Sequence, residues 1–134
     1  MASLSDVEGI GPAYAEKLGG AGLETTDDLL SAGGTPQGRA SLAEKTGISA
    51  ALILEWVNHA DLYRIDGVGS EYADLLEAAG VDSVVELGQR NAANLQAKLS
   101  EVNEQKQLVR SVPSESQVAR WVEQAKGLER AVHH

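Results

Sequence analysis

The chain has 134 residues, 43% of them hydrophobic, and its 20 acidic and 11 basic side chains give a formal net charge of -9 at pH 7. This composition excludes a disordered or fibrous protein, and the length suits one domain or two very small ones. The absence of cysteine excludes a disulfide framework and a thiolate metal site. The longest apolar run, 50–54, is far shorter than the ~20 residues that cross a bilayer, so no membrane partner is expected.

The start of the chain, 1–6, has neither a basic beginning nor an apolar segment, so we expect no secretory signal and a cytoplasmic location. Further along, helix formers dominate and the alternation typical of strands is missing, which predicts an all-α protein. In chain order the predicted helices span 12–21, 26–32, 36–46, 50–60, 70–79, 84–90, 92–108 and 115–126. Their ends follow from first-turn prolines, terminal glycines and capping boxes at Pro12, Pro36, Gly22, Gly80, Gly127, Ser83 and Ser114.

An internal repeat divides the chain. A shift of 58 positions superimposes Val7-Glu-Gly-Ile-Gly11 on Ile65-Asp-Gly-Val-Gly69, and a later shift of 65 superimposes Trp56 on Trp121. The second copy therefore has seven extra residues, which we place near 100–114. We predict a first unit at 1–60, a second at 61–127 and a tail at 128–134. Because each copy is small, we expect the two to pack together, as one body or as two touching lobes.

Each copy contains a Gly-x-Gly turn directly before a predicted helix. In the first copy Gly9 and Gly11 enclose Ile10 and precede Pro12, and we expect both glycines to supply the positive φ that the turn needs. The helix start presents unpaired N–H groups at the positive end of its dipole, so the main chain alone can bind a phosphate there. We expect Ile10 to point into the core and fix the turn.

Residues 9–18, followed by Ala21-Gly22, Thr26-x-x-Leu29 and 42–49, resemble the helix-hairpin-helix family of DNA-repair and recombination proteins. The pattern is similar to the N-terminal domains of archaeal and eukaryotic recombinases, with 46–49 as a second, degenerate hairpin. Over nearly its full length the chain looks like an uncharacterised bacterial family of duplicated helix-hairpin-helix domains. The resemblance implies an all-α, SAM-like bundle of two tandem helix-hairpin-helix units.

The resemblance also implies a site. Its phosphate-binding hairpin would consist of Gly9, Ile10, Gly11, Ala13, Tyr14 and Lys17, and the carbonyls of Ser5, Val7 and Ile10 could hold a monovalent cation. The corresponding second hairpin would consist of Gly67, Val68, Gly69, Glu71 and Tyr72. Contacts of this kind position a DNA duplex without reading its bases, so binding would be independent of sequence and sensitive to salt.

Charge distinguishes the two hairpins. Residues 1–58 carry a net charge of -5, residues 59–87 of -6 and residues 88–134 of +2. Asp66 and Glu71 lie within and beside the second turn, so we expect that hairpin to be structural. The first hairpin, with Lys17 nearby, is the better phosphate candidate. The C-terminal region could contribute further cations from Lys98, Lys106, Arg110, Arg120, Lys126 and Arg130.

Two functions remain open. One is a non-catalytic module that binds the DNA backbone through the first hairpin, and the other is a scaffold or interaction module whose acidic face meets a basic protein. Trp56 and Trp121 are expected in the core or at a contact between the two lobes, not as a platform for stacking bases, and His59 is too isolated for zinc. Helix capping explains the acidic residues, and no catalytic triad or Walker motif is present. We therefore expect no enzymatic activity, catalytic residue, bound metal or cofactor, and the pattern favours no particular oligomeric state.

Overall fold

The computed structural model describes residues 3–7 and 9–134, and within these residues the chain is all-α, as predicted. A 3₁₀ helix, Leu4–Asp6, precedes eight α-helices. These are α1 (Pro12–Gly20), α2 (Thr26–Gly33), α3 (Pro36–Thr46), α4 (Ala50–Leu62), α5 (Ser70–Ala78), α6 (Val84–Gly88), α7 (Ala92–Lys106) and α8 (Glu115–Lys126). None of the helices in this part of the chain has both the length and the apolar content that crossing a membrane requires.

Side-chain caps stabilise several of the helix starts. At α2 the Thr25 hydroxyl accepts the Asp28 N–H, and the Asp28 carboxylate accepts the N–H groups of Glu24 and Thr25. These two bonds, from Glu24 and then Thr25, stabilise the charged carboxylate and hold the pKa of Asp28 below its ordinary value. The hydroxyls of Ser83 and Ser114 accept N–H groups three residues on, which is the first half of the capping boxes predicted there.

Helices α1 and α5 end in the same way. Gly22 and Gly80 have positive φ values of 90° and 95°, one residue after the C-caps. The N–H of Leu23 donates to the Leu18 carbonyl at 3.0 Å, and the second copy repeats this bond with the same spacing. This is the hydrogen bond of a Schellman motif, which requires a left-handed residue at the glycine position.

The chain forms two compact units. The first consists of Met1–Asp61 with Ala131–His134, and the second of Leu62–Arg130. The predicted tail, 128–134, is therefore divided between the units. Its last four residues return to the first unit because Gly34 leaves room for them: a Cβ at Gly34 would lie 2.5 Å from the Ala131 carbonyl oxygen. The His133 N–H then donates to the Gly34 carbonyl at 2.7 Å, and Val132 is buried.

Each unit has its own aliphatic core around one tryptophan. In the first unit α3 packs against α1 and α2, and the most buried side chains include Leu18, Leu29, Ile53, Trp56 and Val57. In the second unit α8 packs against α6 and α7, and α7 packs against α5. Its core includes Leu75, Leu76, Leu99, Val118 and Trp121. Trp56 and Trp121 are 1% and 2% exposed, which confirms that they are core residues.

The extra length of the second copy lies in α7 and the segment after it. Helix α7 has 15 residues where α3 has 11, and the connector 107–114 replaces the short connector 47–49. Side chains of its own unit hold this connector. Asn103 bonds both the N–H and the carbonyl of Val109, and the Tyr72 hydroxyl donates to the Ser111 carbonyl at 3.2 Å.

Candidate functional site

The two Gly-x-Gly turns have the same backbone. Gly9 and Gly67 have φ values of 90° and 92°. In the first turn the Ile10 N–H donates to the Val7 carbonyl at 3.1 Å, and Val68 makes the same bond to Ile65 at 3.1 Å. Ile10 is 4% exposed, so it points into the core and fixes the turn as expected.

The second glycine of each turn has a different conformation from the one predicted. Gly11 has φ -81° and ψ 178°, and Gly69 has φ -104° and ψ -165°, so both are extended and neither has positive φ. The physical reason at Gly11 is that a residue before proline is driven into the extended region, which is also the usual conformation of a helix N-cap. A Cβ at either position would meet nothing within 4 Å. These glycines are therefore not needed for backbone freedom.

In each unit a tryptophan from the last helix packs against the Gly-x-Gly turn and the helix that follows it. The rings of Tyr14 and Trp56 have centroids 5.1 Å apart at 60°, and those of Tyr72 and Trp121 are 5.2 Å apart at 59°. The Trp56 Nε1 atom lies 3.4 Å from the position that a Cβ of Gly9 would occupy. Both tryptophans are buried, so they position the hairpins and do not offer a surface on which bases could stack.

The start of α1 is open. Six helices have a Ser, Thr or Asn side chain that caps the first turn: Thr25, Thr35, Ser49, Ser83, Asn91 and Ser114. Helices α1 and α5 instead begin at Gly11 and Gly69, with no side-chain cap. In α1 the Ala15 N–H donates to the Gly11 carbonyl at 2.9 Å. The N–H groups of Gly11, Ala13 and Tyr14 have no acceptor among residues 3–7 and 9–134, and these three residues are exposed.

The start of α5 is also uncapped, but its surroundings differ from those of α1. Glu71 holds the place that Ala13 holds in α1 and brings a carboxylate into the first turn. The Asp66 N–H donates to the Gln124 side chain at 3.0 Å, and the Tyr72 hydroxyl is bonded to the inserted connector. By contrast, Tyr14 is 36% exposed. The two hairpins share a backbone but differ in the access they give to an anion.

The carbonyls predicted to hold a monovalent cation lie around the first turn. Ser5 is in the 3₁₀ helix, and the Val7 carbonyl accepts the Ile10 N–H, so the turn itself uses one of its two lone pairs. The cation site stays a prediction.

The basic side chains of the first unit divide into one structural residue and one pair. Arg39 is 5% exposed and donates to the carbonyls of Gly33 and His133 at 3.0 and 2.7 Å, and its burial lowers the pKa of the guanidinium. Lys17 and Lys45 are exposed and line one depression of about 310 Å³ together with Gly20, Ala21 and Thr46. The sequence predicted Lys17 beside the hairpin, but Lys45 was missed because it is 28 residues away and only the contact between α1 and α3 brings it close.

Within the described ranges, no group of three or more His, Asp or Glu side chains is placed to hold a metal ion. His59 lies in α4 and is 2% exposed, which makes it a core residue.

Comparison with known proteins finds one family. The family model described as "Domain of unknown function (DUF4332)" matches residues 8–128, nearly the whole chain. Neither the curated proteins nor the solved structures give a match.

Proposed function

The chain belongs to the DUF4332 family, domains whose function is unknown, and we propose that it binds the phosphate backbone of DNA through its first hairpin, without reading bases and without catalysis. One observation carries the proposal: a positive-φ turn delivers an uncapped, solvent-exposed helix start at Gly11, Ala13 and Tyr14. The resemblance of residues 9–18 to helix-hairpin-helix proteins supports it.

The chemistry of this helix start suits a phosphate oxygen. Three N–H groups without an acceptor in the described chain lie at the positive end of the α1 dipole, where an anion is stabilised by about 0.3 to 1 kcal/mol. Asp6, the nearest described carboxylate before the turn, accepts the Ser3 N–H at 3.1 Å and is thus held within the 3₁₀ segment. Because Gly11 has no side chain, it does not block access to the N–H groups at the start of α1.

The experiment uses a matched pair of N-cap substitutions. Gly11→Asp places a carboxylate at the α1 amides, and Gly69→Asp does the same at α5. Both positions have the extended backbone that an N-cap aspartate adopts, so both variants should be as stable as wild type or more stable by a few tenths of a kcal/mol. We expect only Gly11→Asp to weaken binding of a blunt duplex at low salt, by about tenfold or more, because it replaces hydrogen bonds to a charged phosphate.

Duplex affinity measured by fluorescence anisotropy, with thermal melts of all three proteins, decides the proposal. Equal affinity of wild type and Gly11→Asp, or equal losses in both variants, would show that the α1 start is not the binding site.

The second candidate function is an acidic interaction module with a basic protein partner. It is favoured by the net charge of -9 and by the acidic start of α5. A Lys/Arg-rich peptide in the same titration separates the two. Binding of this peptide without any binding of duplex would support the interaction module and reject the first proposal.

A further inference from the structure

The exposed cations of the first unit converge on one place. Of its three Lys and Arg residues, Arg39 is buried against carbonyls, and the other two, Lys17 and Lys45, line the same depression. Each lies in the last turn of its helix, where the dipole favours a cation, and this accounts for each lysine separately. It does not account for two positive charges that face one volume from two helices.

No described carboxylate lies within ion-pairing distance of this pair. Neither lysine makes an ion pair with a described residue, and the remaining lining residues, Gly20, Ala21 and Thr46, are uncharged. Gly20 and Ala21 are also too small to fill the space. The depression is therefore an exposed volume of about 310 Å³ with two lysine side chains in its lining. An oxyanion between them would relieve their repulsion.

The second unit has a depression in the corresponding place, between the ends of α5 and α7, with the opposite character. It measures about 240 Å³ and is lined by Asp74 and Glu77 with Lys106. Leu75 stands where Lys17 stands in the first copy, and it is fully buried in a core that includes Val109 of the inserted connector. The face of α5 is thus covered, whereas the equivalent face of α1 is exposed and cationic.

The hairpin and the depression lie on the same face of α1. Gly11, Tyr14, Lys17 and Ala21 follow one another at spacings of three or four residues, so they form one stripe along the helix. From Gly11 to Lys17 the helix rises by about 9 Å. Along the axis of a duplex each nucleotide of one strand adds only ~3.4 Å, so two places about 9 Å apart on α1 can meet different phosphates of the same strand.

From this arrangement we infer that the Lys17–Lys45 depression binds a second phosphate of the same nucleic-acid strand that the hairpin holds. The inference rests on the proposed function, and it adds a subsite and the residue Lys45. Both ammonium groups contact the phosphate oxygens, and Tyr14 lies between the two subsites. Two points of attachment along α1 fix the direction of the strand on the helix, which one phosphate cannot do.

The test compares Lys45→Gln with Lys106→Gln, which removes the corresponding lysine at the end of α7. In a first arm, inorganic phosphate is titrated at low ionic strength, and the amide shifts of Gly20, Ala21 and Thr46 are followed by NMR. We expect these shifts in wild type and Lys106→Gln and their loss in Lys45→Gln. In a second arm, duplex affinity is measured against salt, and Lys45→Gln should reduce the slope of log K against log[salt] by about 0.9.

The outcomes separate the two proposals. If duplex binds but Lys45→Gln leaves the slope unchanged, the second subsite is wrong and the hairpin proposal stands. If wild type binds no duplex, the hairpin proposal fails, and phosphate-dependent shifts at Gly20 and Thr46 would still support an oxyanion site in the depression. If phosphate shifts none of these amides, or shifts them equally in Lys45→Gln, the depression binds no oxyanion.

Discussion

Gly9 and Gly11 are one residue apart and have different roles. Gly9 has a φ of 90° and contacts Trp56, so its lack of a side chain serves the turn and the packing beneath it. Gly11 is extended and faces open space, so its lack of a side chain serves access to the α1 amides. The same residue type thus contributes stability at one position and a binding surface at the other.

A substitution at each glycine distinguishes these roles. Gly9→Ala should destabilise the chain by about 1 to 2 kcal/mol, because an L-residue is strained at positive φ. Gly11→Ser should change stability by less than about 0.5 kcal/mol, because serine is a good N-cap in the same extended backbone. Urea unfolding measures both. A Gly9→Ala chain as stable as wild type would contradict the left-handed turn.

The sequence alone predicts part of the difference between Gly9 and Gly11. Pro12 restricts the residue before it to extended backbone, so the conformation of Gly11 was predictable from its neighbour. The Gly-x-Gly pattern by itself predicts two glycines of positive φ, which is wrong for the second glycine. The error arose because glycine permits many conformations and the pattern does not say which one is used.

At the scale of helices, local sequence signals were sufficient to place the helices along the chain. All eight described α-helices overlap the predicted ranges, and α1, α3, α6 and α8 begin at the prolines and capping residues named for them, because such residues act on the backbone within one turn. The segment 131–134 was assigned to a tail because its docking depends on residues almost a hundred positions earlier. Gly34 and Arg39 hold it, and no local pattern connects them with His133.

Arg39 is expected to couple α3 to this C-terminal segment. Arg39→Met should cost about 1 to 3 kcal/mol, because it leaves the carbonyls of Gly33 and His133 without a donor in a buried place. In a chain that ends at residue 130 the same substitution should cost less, since the His133 carbonyl is no longer there. A double-mutant cycle by urea unfolding measures the difference, about 0.5 kcal/mol or more. Equal costs in both backgrounds would show that Arg39 does not hold the segment.

At the scale of the whole chain, duplication has preserved geometry and changed chemistry. The turns of the two copies agree within 2° at their first glycine, and their Tyr–Trp pairs agree within 0.1 Å in centroid distance. Their charges differ: Glu71 replaces Ala13, Leu75 replaces Lys17, and Asp74 and Glu77 line the depression of the second copy. The sequence repeat revealed the shared fold and the acidic second turn. It could not reveal the lysine pair, which depends on the packing of α1 against α3.

The salt dependence of duplex binding measures how many cations of the chain take part. If Lys17 and Lys45 supply the ionic contacts, log K should fall with log[salt] at a slope of about -1.8, a loss of about 12-fold between 50 and 200 mM. Lys17→Glu should weaken binding much more than Glu77→Ala, because only the first change lies on α1. A slope steeper than about -4 would require further cations of the chain, since two lysines release too few counterions to produce it. Contacts of Lys17 and Lys45 with backbone phosphates must release counterions. Binding with no salt dependence would therefore exclude phosphate as their ligand.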